Sequence, residues 1–125
     1  MNDAMLRLAL IAIAAITCLS GATQMLAPDR VLAIVAPATS GAEAHFFRTI
    51  GMFMLITGAM FGQSLIQRTD APAISLWIGV QKLLAAVLVF WGWIAGYLLW
   101  LAVGVALFDL ASGVLALIFW KRIGR

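Results

Sequence analysis

The chain has 125 residues, of which 65% are hydrophobic and 10% are charged, and its formal net charge is +3. Soluble domains are about half apolar and a quarter charged, so this composition excludes an ordinary soluble domain and indicates a membrane protein. At roughly 20 residues per spanning helix, the chain has room for four or five spans in a single domain, residues 1–125.

The few basic, cysteine and histidine residues exclude several classes of function. Eight basic residues scattered among helix ends form no basic stripe, so we expect no nucleic-acid partner. Cys18 is the only cysteine and His45 the only histidine, which excludes an intramolecular disulfide and a bis-histidine haem within one chain. We therefore expect no metal site and no cofactor.

The first predicted span covers residues 6–26, which is long enough for about 30 Å of helix. A second interpretation is a signal peptide, because Arg7 precedes an apolar run that ends in the small residues Ser20, Gly21 and Ala22. Cys18 also invites a lipoprotein interpretation, although Ile16 and Thr17 fit a lipobox badly. Length favours the spanning helix.

The connection from residue 27 to residue 44 is the longest in the chain. Pro28 is well placed to begin a helix and Pro37 to end one, but the eight residues 29–36 are too few to cross a bilayer. They predict a short interfacial helix or re-entrant segment. Ser40 and Glu43 have the spacing of a capping box that would begin the second span.

The second predicted span, residues 46–66, has Arg48 near its start and three glycines on one face. Gly51, Gly58 and Gly62 are seven and four residues apart, and they share that face with Arg48. Such a flat surface allows another helix to approach closely. The simpler interpretation is that glycine is common in membrane helices.

The third predicted span, residues 73–91, contains a lysine near its middle. Small and polar residues recur at spacings of four, three and four, namely Ser75, Gly79, Lys82 and Ala86. They form one stripe, so Lys82 is expected to face a neighbouring helix. Gln81 lies about 100° around the helix from it, and either faces a different neighbour or lines the same cavity.

An uncharged aromatic turn, WGWIAGY, with Gly92 and Gly96 as helix breakers, leads into the fourth predicted span, residues 97–120. Its tryptophans and tyrosine are typical of a membrane interface. On the fourth span a second small face has a charge at its centre: Ala102, Ala106, Asp109, Gly113 and Ala116.

Four spans place both termini on one side of the membrane, and the basic residues predict which side. Five lie on the side of the termini, against two, Arg30 and Arg48, on the other; the five are Arg7, Arg68, Lys121, Arg122 and Arg125. By the positive-inside rule, both termini are predicted to be cytoplasmic in a multi-pass protein of the inner membrane.

The two embedded charges are predicted to meet. Lys82 lies about 13 Å and Asp109 about 16 Å from the cytoplasmic ends of their spans, near the midplane of a core about 30 Å thick. Helices joined by a short turn are usually antiparallel neighbours, so the charges can form a salt bridge at matching depth. Arg48 is expected above them, either reaching towards Asp109 or extending to the headgroups.

The segments HFFRTIGMFMLITGAMF, QKLLAAVLVF and FDLASGVLALIFW resemble small four-helix bacterial membrane proteins of the DoxX-like kind. The resemblance implies an all-α, integral membrane four-helix bundle. Some DoxX-type proteins are small membrane subunits linked to quinone-coupled sulfur oxidation, which would imply a redox accessory role. The sequence has no cofactor-ligating motif for that role, so Arg48, Lys82 and Asp109 are carried forward as a candidate polar centre only.

Three functions remain open at this point. The first is a non-enzymatic accessory or scaffold subunit that binds lipid, a membrane protein partner or further copies of itself, with Lys82 and Asp109 locking two helices in register. The second is a small proton-coupled transporter, and the third is a quinone- or lipid-binding redox subunit. The absence of a nucleophile with a matching base, of a phosphate loop and of metal-spaced histidines favours the first.

Overall fold

The computed structural model describes residues 1–125 and contains five helices and no strands. The helices are α1 (Asp3–Leu26), α2 (Pro28–Val35), α3 (Gly41–Ile66), α4 (Pro72–Ile94) and α5 (Leu101–Ile123). Four of them, α1, α3, α4 and α5, are long and apolar enough to cross a membrane. The predicted all-α four-helix architecture, with a short helical segment between the first two spans, is confirmed.

Local sequence signals determine several helix ends. Asn2 caps α1 by accepting a hydrogen bond from the Met5 amide, and Pro28 is the first residue of α2. Ser40 and Glu43 form the predicted capping box at the start of α3. α2 ends at Val35, two residues before Pro37, as expected where proline disfavours helix in the residue ahead of it.

The aromatic turn lies further along the chain than predicted, over residues 95–100. α4 continues through Gly92 to Ile94, so Gly92 does not break the helix, and α5 begins at Leu101 instead of residue 97. Gly92 instead packs closely, since a Cβ atom there would lie 2.9 Å from the Leu98 side chain. Gly96 is the glycine that allows the turn, since its φ of +82° is costly for other residues.

The long helices associate as two antiparallel pairs, α1 with α3 and α4 with α5. The pairs meet most closely at the end of the bundle that holds both chain termini and the 67–71 loop, which we call the terminal face. All four helices contribute to the main core there: Leu6, Leu10, Ala14, Phe61, Leu65, Ile78, Ala116 and Phe119. α1 is therefore an integral part of the bundle.

The short helix α2 packs across the opposite end of the bundle. Its Leu32 is buried in a small cluster with Ala36 and Ala44, against which Leu98 also packs. The Leu99 amide donates a hydrogen bond to the Val35 carbonyl at 2.7 Å, joining the end of α2 to the turn between α4 and α5. This bond thus joins the connection between α1 and α3 to the connection between α4 and α5.

Candidate polar centre

The α4–α5 interface is built from the two small-residue faces found in the sequence. Ser75, Gly79 and Ala86 of α4 are buried, as are Ala102, Ala106, Gly113 and Ala116 of α5. A Cβ atom on Gly113 would lie 3.0 Å from the Gly79 carbonyl oxygen, so the two backbones cross closely at these glycines. This crossing lies one helical turn from Lys82 and Asp109.

Lys82 and Asp109 are in direct contact inside this interface. The Lys82 Nζ donates to Asp109 Oδ1 at 2.9 Å, and the two side chains are only 8% and 15% exposed. The Phe108 ring lies over the ammonium, with 5.3 Å between Nζ and the ring centroid. About 15 Å of helix separates Lys82 from the start of α4 at Pro72, so the charge is well inside the span. The predicted pair is present.

The pair retains unused hydrogen-bonding capacity. The ammonium has three N–H groups, of which one is donated to Asp109, and no hydrogen bond within the chain reaches Asp109 Oδ2. The Thr17 hydroxyl of α1 is buried without a partner. Along α1, Thr17 is about 21 Å from Asp3. Along α5, Asp109 is about 20 Å from Arg122, and Arg122 binds Asp3. Asp109, its partner Lys82 and the Thr17 hydroxyl therefore lie at about the same depth in the bundle.

Arg48 does not belong to this centre. Its guanidinium is exposed and donates to the Met25 carbonyl oxygen at 3.0 Å, at the end of α1. The last carbonyls of a helix have no partner within the helix, and they attract a cation that is held close by. Because α3 pairs with α1 rather than α5, Arg48 reaches that helix end instead of Asp109.

Gln81 points away from the centre. It is exposed on the outside of the bundle, among Trp77, Val80, Leu84, Ala85 and Leu88. Its carboxamide makes no hydrogen bond within the chain. Of the two sequence interpretations, the structure therefore excludes a shared cavity with Lys82.

The predicted packing glycines of α3 contact α1. A Cβ atom on Gly51 would lie 2.7 Å from the Gly21 carbonyl oxygen, and one on Gly58 would lie 3.0 Å from Cys18 Sγ. Gly62 is less confined, with Ala14 at 3.4 Å. This glycine face is thus largely used within the chain. Gly21, which sequence reasoning assigned to a cleavage-like motif, is a packing residue as well.

Sequence reasoning also missed two ion pairs on the terminal face. Arg7 lies 2.8 Å from Asp70 Oδ1, donates to the Leu65 carbonyl oxygen and stacks on the Phe119 ring. Arg122 lies 2.7 Å from Asp3 Oδ1. In the sequence, the positions of these basic residues indicate only the orientation of the chain in the membrane. The acidic residues at helix ends on the same side were the available signal for pairing.

The remaining candidate ligands do not assemble. No group of three or more histidine, cysteine, aspartate or glutamate side chains comes together in a way that could hold a metal ion. The Cys18 thiol instead donates to the Leu55 carbonyl oxygen at 3.6 Å. Comparison with protein-family models, with curated proteins and with solved structures gives no match.

Proposed function

We propose that this chain is a bacterial inner-membrane protein with cytoplasmic termini, and that it acts as a non-enzymatic accessory or scaffold subunit. The surplus of basic residues on the terminal face and the DoxX-like resemblance support the location. The function rests on one observation, the Lys82–Asp109 contact at 2.9 Å inside a glycine-lined helix interface. A charge pair that is neutralised within its own chain holds two helices in one register.

The arrangement suits a scaffold because the polar atoms serve the fold. The buried cation and anion neutralise each other between α4 and α5, so neither is left as an isolated charge in hydrocarbon, which would cost several kcal/mol or more. The outer surface of the bundle carries exposed large apolar side chains along all four long helices. That surface is available to lipid and to the helices of a membrane partner.

The test is isolation of the tagged protein in mild detergent, followed by mass spectrometry of bound proteins and lipids. The wild type should retain a stable partner chain or a defined lipid. The double variant Lys82→Met/Asp109→Leu should retain the same one, because its apolar side chains can keep the helices packed. A double variant that folds normally but loses the bound molecule would show that the pair itself does the binding.

A proton-coupled transporter is a second candidate, favoured by the unused Asp109 Oδ2 and the unpartnered Thr17 hydroxyl at the same depth. A carboxylate with a free oxygen can accept a proton, and a hydroxyl can relay one. Proton flux into proteoliposomes, followed with an internal pH-sensitive dye, should then disappear in Asp109→Asn. Flux that does not depend on Asp109 would exclude this candidate.

The third function, a quinone- or lipid-binding redox accessory subunit, is tested by the same preparation. Mass spectrometry and absorption spectra of the purified protein would reveal a bound quinone or haem. A quinone that remains bound in wild type but is lost in the folded double variant would favour this function over the scaffold.

A further inference from the structure

The outward face of α4 contains a heptad seam that includes one polar residue. Exposed residues follow spacings of four, three, four and three along it: Trp77, Gln81, Leu84, Leu88 and Trp91. The four apolar members are 66%, 58%, 59% and 65% exposed in chain order. A repeat averaging 3.5 residues is the pattern of helices that pack along their length with knobs in holes.

This seam is free for another helix. It lies on the side of α4 opposite Gly79 and Ala86, which are buried against α5. Around Gln81 the surface forms a shallow groove of about 460 Å³, in which the small side chain of Ala85 leaves room for an approaching helix. A helix docked here would disturb no contact of the bundle.

The Gln81 side chain determines which polar groups a docked helix must provide. It is nine residues after Pro72, about 14 Å of helix into the span, and its short side chain cannot reach the headgroups. Its carboxamide has two N–H donors and an acceptor oxygen, and none is paired within the chain. Lipid tails offer no partner to any of them. The occupant therefore needs donors and an acceptor near the bilayer midplane.

A second copy of this chain meets that requirement. Copies of one sequence insert with the same orientation, so α4 of a second copy runs parallel to the first and presents its own Gln81 at the same depth. Across a twofold axis, each amide donates one N–H to the oxygen of the other, so one symmetric contact pairs a donor and the acceptor of both residues. A single polar residue at such a seam position also selects register and favours the dimer.

We propose that the chain forms a parallel homodimer through the heptad seam of α4, with the two Gln81 side chains hydrogen-bonded to each other within it. The proposal does not depend on the accessory role or on any transport activity. It requires only that the chain spans the membrane.

Cysteine crosslinking in native membranes tests the geometry. In a Cys18→Ala background, single cysteines replace Leu84, Leu88 or Val87, and the membranes are treated with a mild oxidant. Leu84→Cys and Leu88→Cys should give disulfide-linked dimers. Val87 is the matched control, because it is 62% exposed but lies about 100° around the helix from Leu88. Equal crosslinking at positions 87 and 88, or crosslinking only to a different polypeptide, would overturn the proposal.

The role of the amide is tested by measuring dimerisation with Förster transfer between labelled copies in vesicles. Gln81→Leu should lower the association constant about tenfold, whereas Gln81→Asn, which keeps the carboxamide, should lower it less. Both variants change an exposed side chain, so the helical circular dichroism of each should match the wild type. A folded Gln81→Leu protein that dimerises as tightly as the wild type would refute the pairing, and so would a wild type that remains monomeric.

Discussion

Inside α4, the Lys82 Nζ lies 2.9 Å from Asp109 Oδ1 and 5.3 Å from the centroid of the Phe108 ring. Attraction between opposite charges is strong where water is excluded, but so is the penalty for either charge alone. The two residues are therefore interdependent. Removing one should do more damage than removing both.

This asymmetry gives the first prediction. Lys82→Met should lower the free energy of unfolding by about 3–5 kcal/mol, because Asp109 is left buried without its counter-ion. Adding Asp109→Leu should recover most of that loss, since two apolar side chains then fill the interface. Thermal unfolding of the three proteins in the same detergent measures the effect. A double variant no more stable than Lys82→Met would contradict it.

The contact between Lys82 and Asp109 could be predicted because two features of the sequence determine it. Each charge lies at the centre of a small-residue face, and the short turn makes α4 and α5 antiparallel neighbours at matching depth. Arg48 could not be placed in the same way. Its partner, the Met25 carbonyl, is a backbone group whose availability depends on α1 ending beside α3, and that is a property of the helix pairing.

At the scale of helices, the two pairs use the same kind of crossing. Gly21 faces Gly51 between α1 and α3, as Gly79 faces Gly113 between α4 and α5. Close backbone contact replaces the hydrophobic drive that lipid does not supply. A Cβ atom at Gly21 would lie 2.6 Å from the Gly51 carbonyl oxygen, and backbone cannot move aside as a side chain can.

We therefore predict that Gly21→Ala destabilises the protein by about 3 kcal/mol, at the upper end of the usual range for overpacking. Gly104→Ala is the control. Gly104 is also within a spanning helix, but a Cβ atom there would meet nothing within 4 Å, so the loss of backbone entropy in the unfolded chain should leave stability equal or slightly higher. Thermal unfolding of both variants, side by side, checks the difference.

Helix bounds were predictable to within a few residues where a capping residue or a proline acts locally, as at Pro28 and Ser40. The start of α5 was not. Gly92 and Gly96 look equivalent in the sequence, yet only Gly96 adopts positive φ. Gly92 remains helical, with the Leu98 side chain in the space beside it. Pattern alone cannot separate these two uses of glycine.

For the whole molecule, the terminal face is where the two helix pairs are joined most firmly. Arg7 connects α1 to the 67–71 loop through Asp70, and Arg122 connects α5 to the start of α1 through Asp3. The short turn predicts that α4 pairs with α5, but the pairing of α1 with α3 could not be predicted, because the longest connection in the chain separates them. The charged residues at the helix ends stabilise this pairing only after the helices lie side by side.

The proposed orientation of the molecule gives a third prediction. In a Cys18→Ala background, Thr39→Cys and Arg125→Cys place a thiol on an exposed residue at opposite faces of the bundle. A membrane-impermeant maleimide should label position 39 in intact spheroplasts and position 125 only after permeabilisation, because the positive-inside rule predicts that the terminal face, with its five basic residues, is cytoplasmic. The reverse labelling pattern would contradict the positive-inside assignment.

The contact between Arg122 and the beginning of α1 also makes the chain nearly a closed ring. Arg122 donates to the Met1 carbonyl oxygen at 3.0 Å, so a short linker could join the termini. Opening the chain between Gln67 and Arg68 would then produce a circular permutant in which α4 and α5 are synthesised first. Every helix would keep its direction across the membrane. We expect such a permutant to fold, since the packing of the two helix pairs does not depend on the order in which they are synthesised.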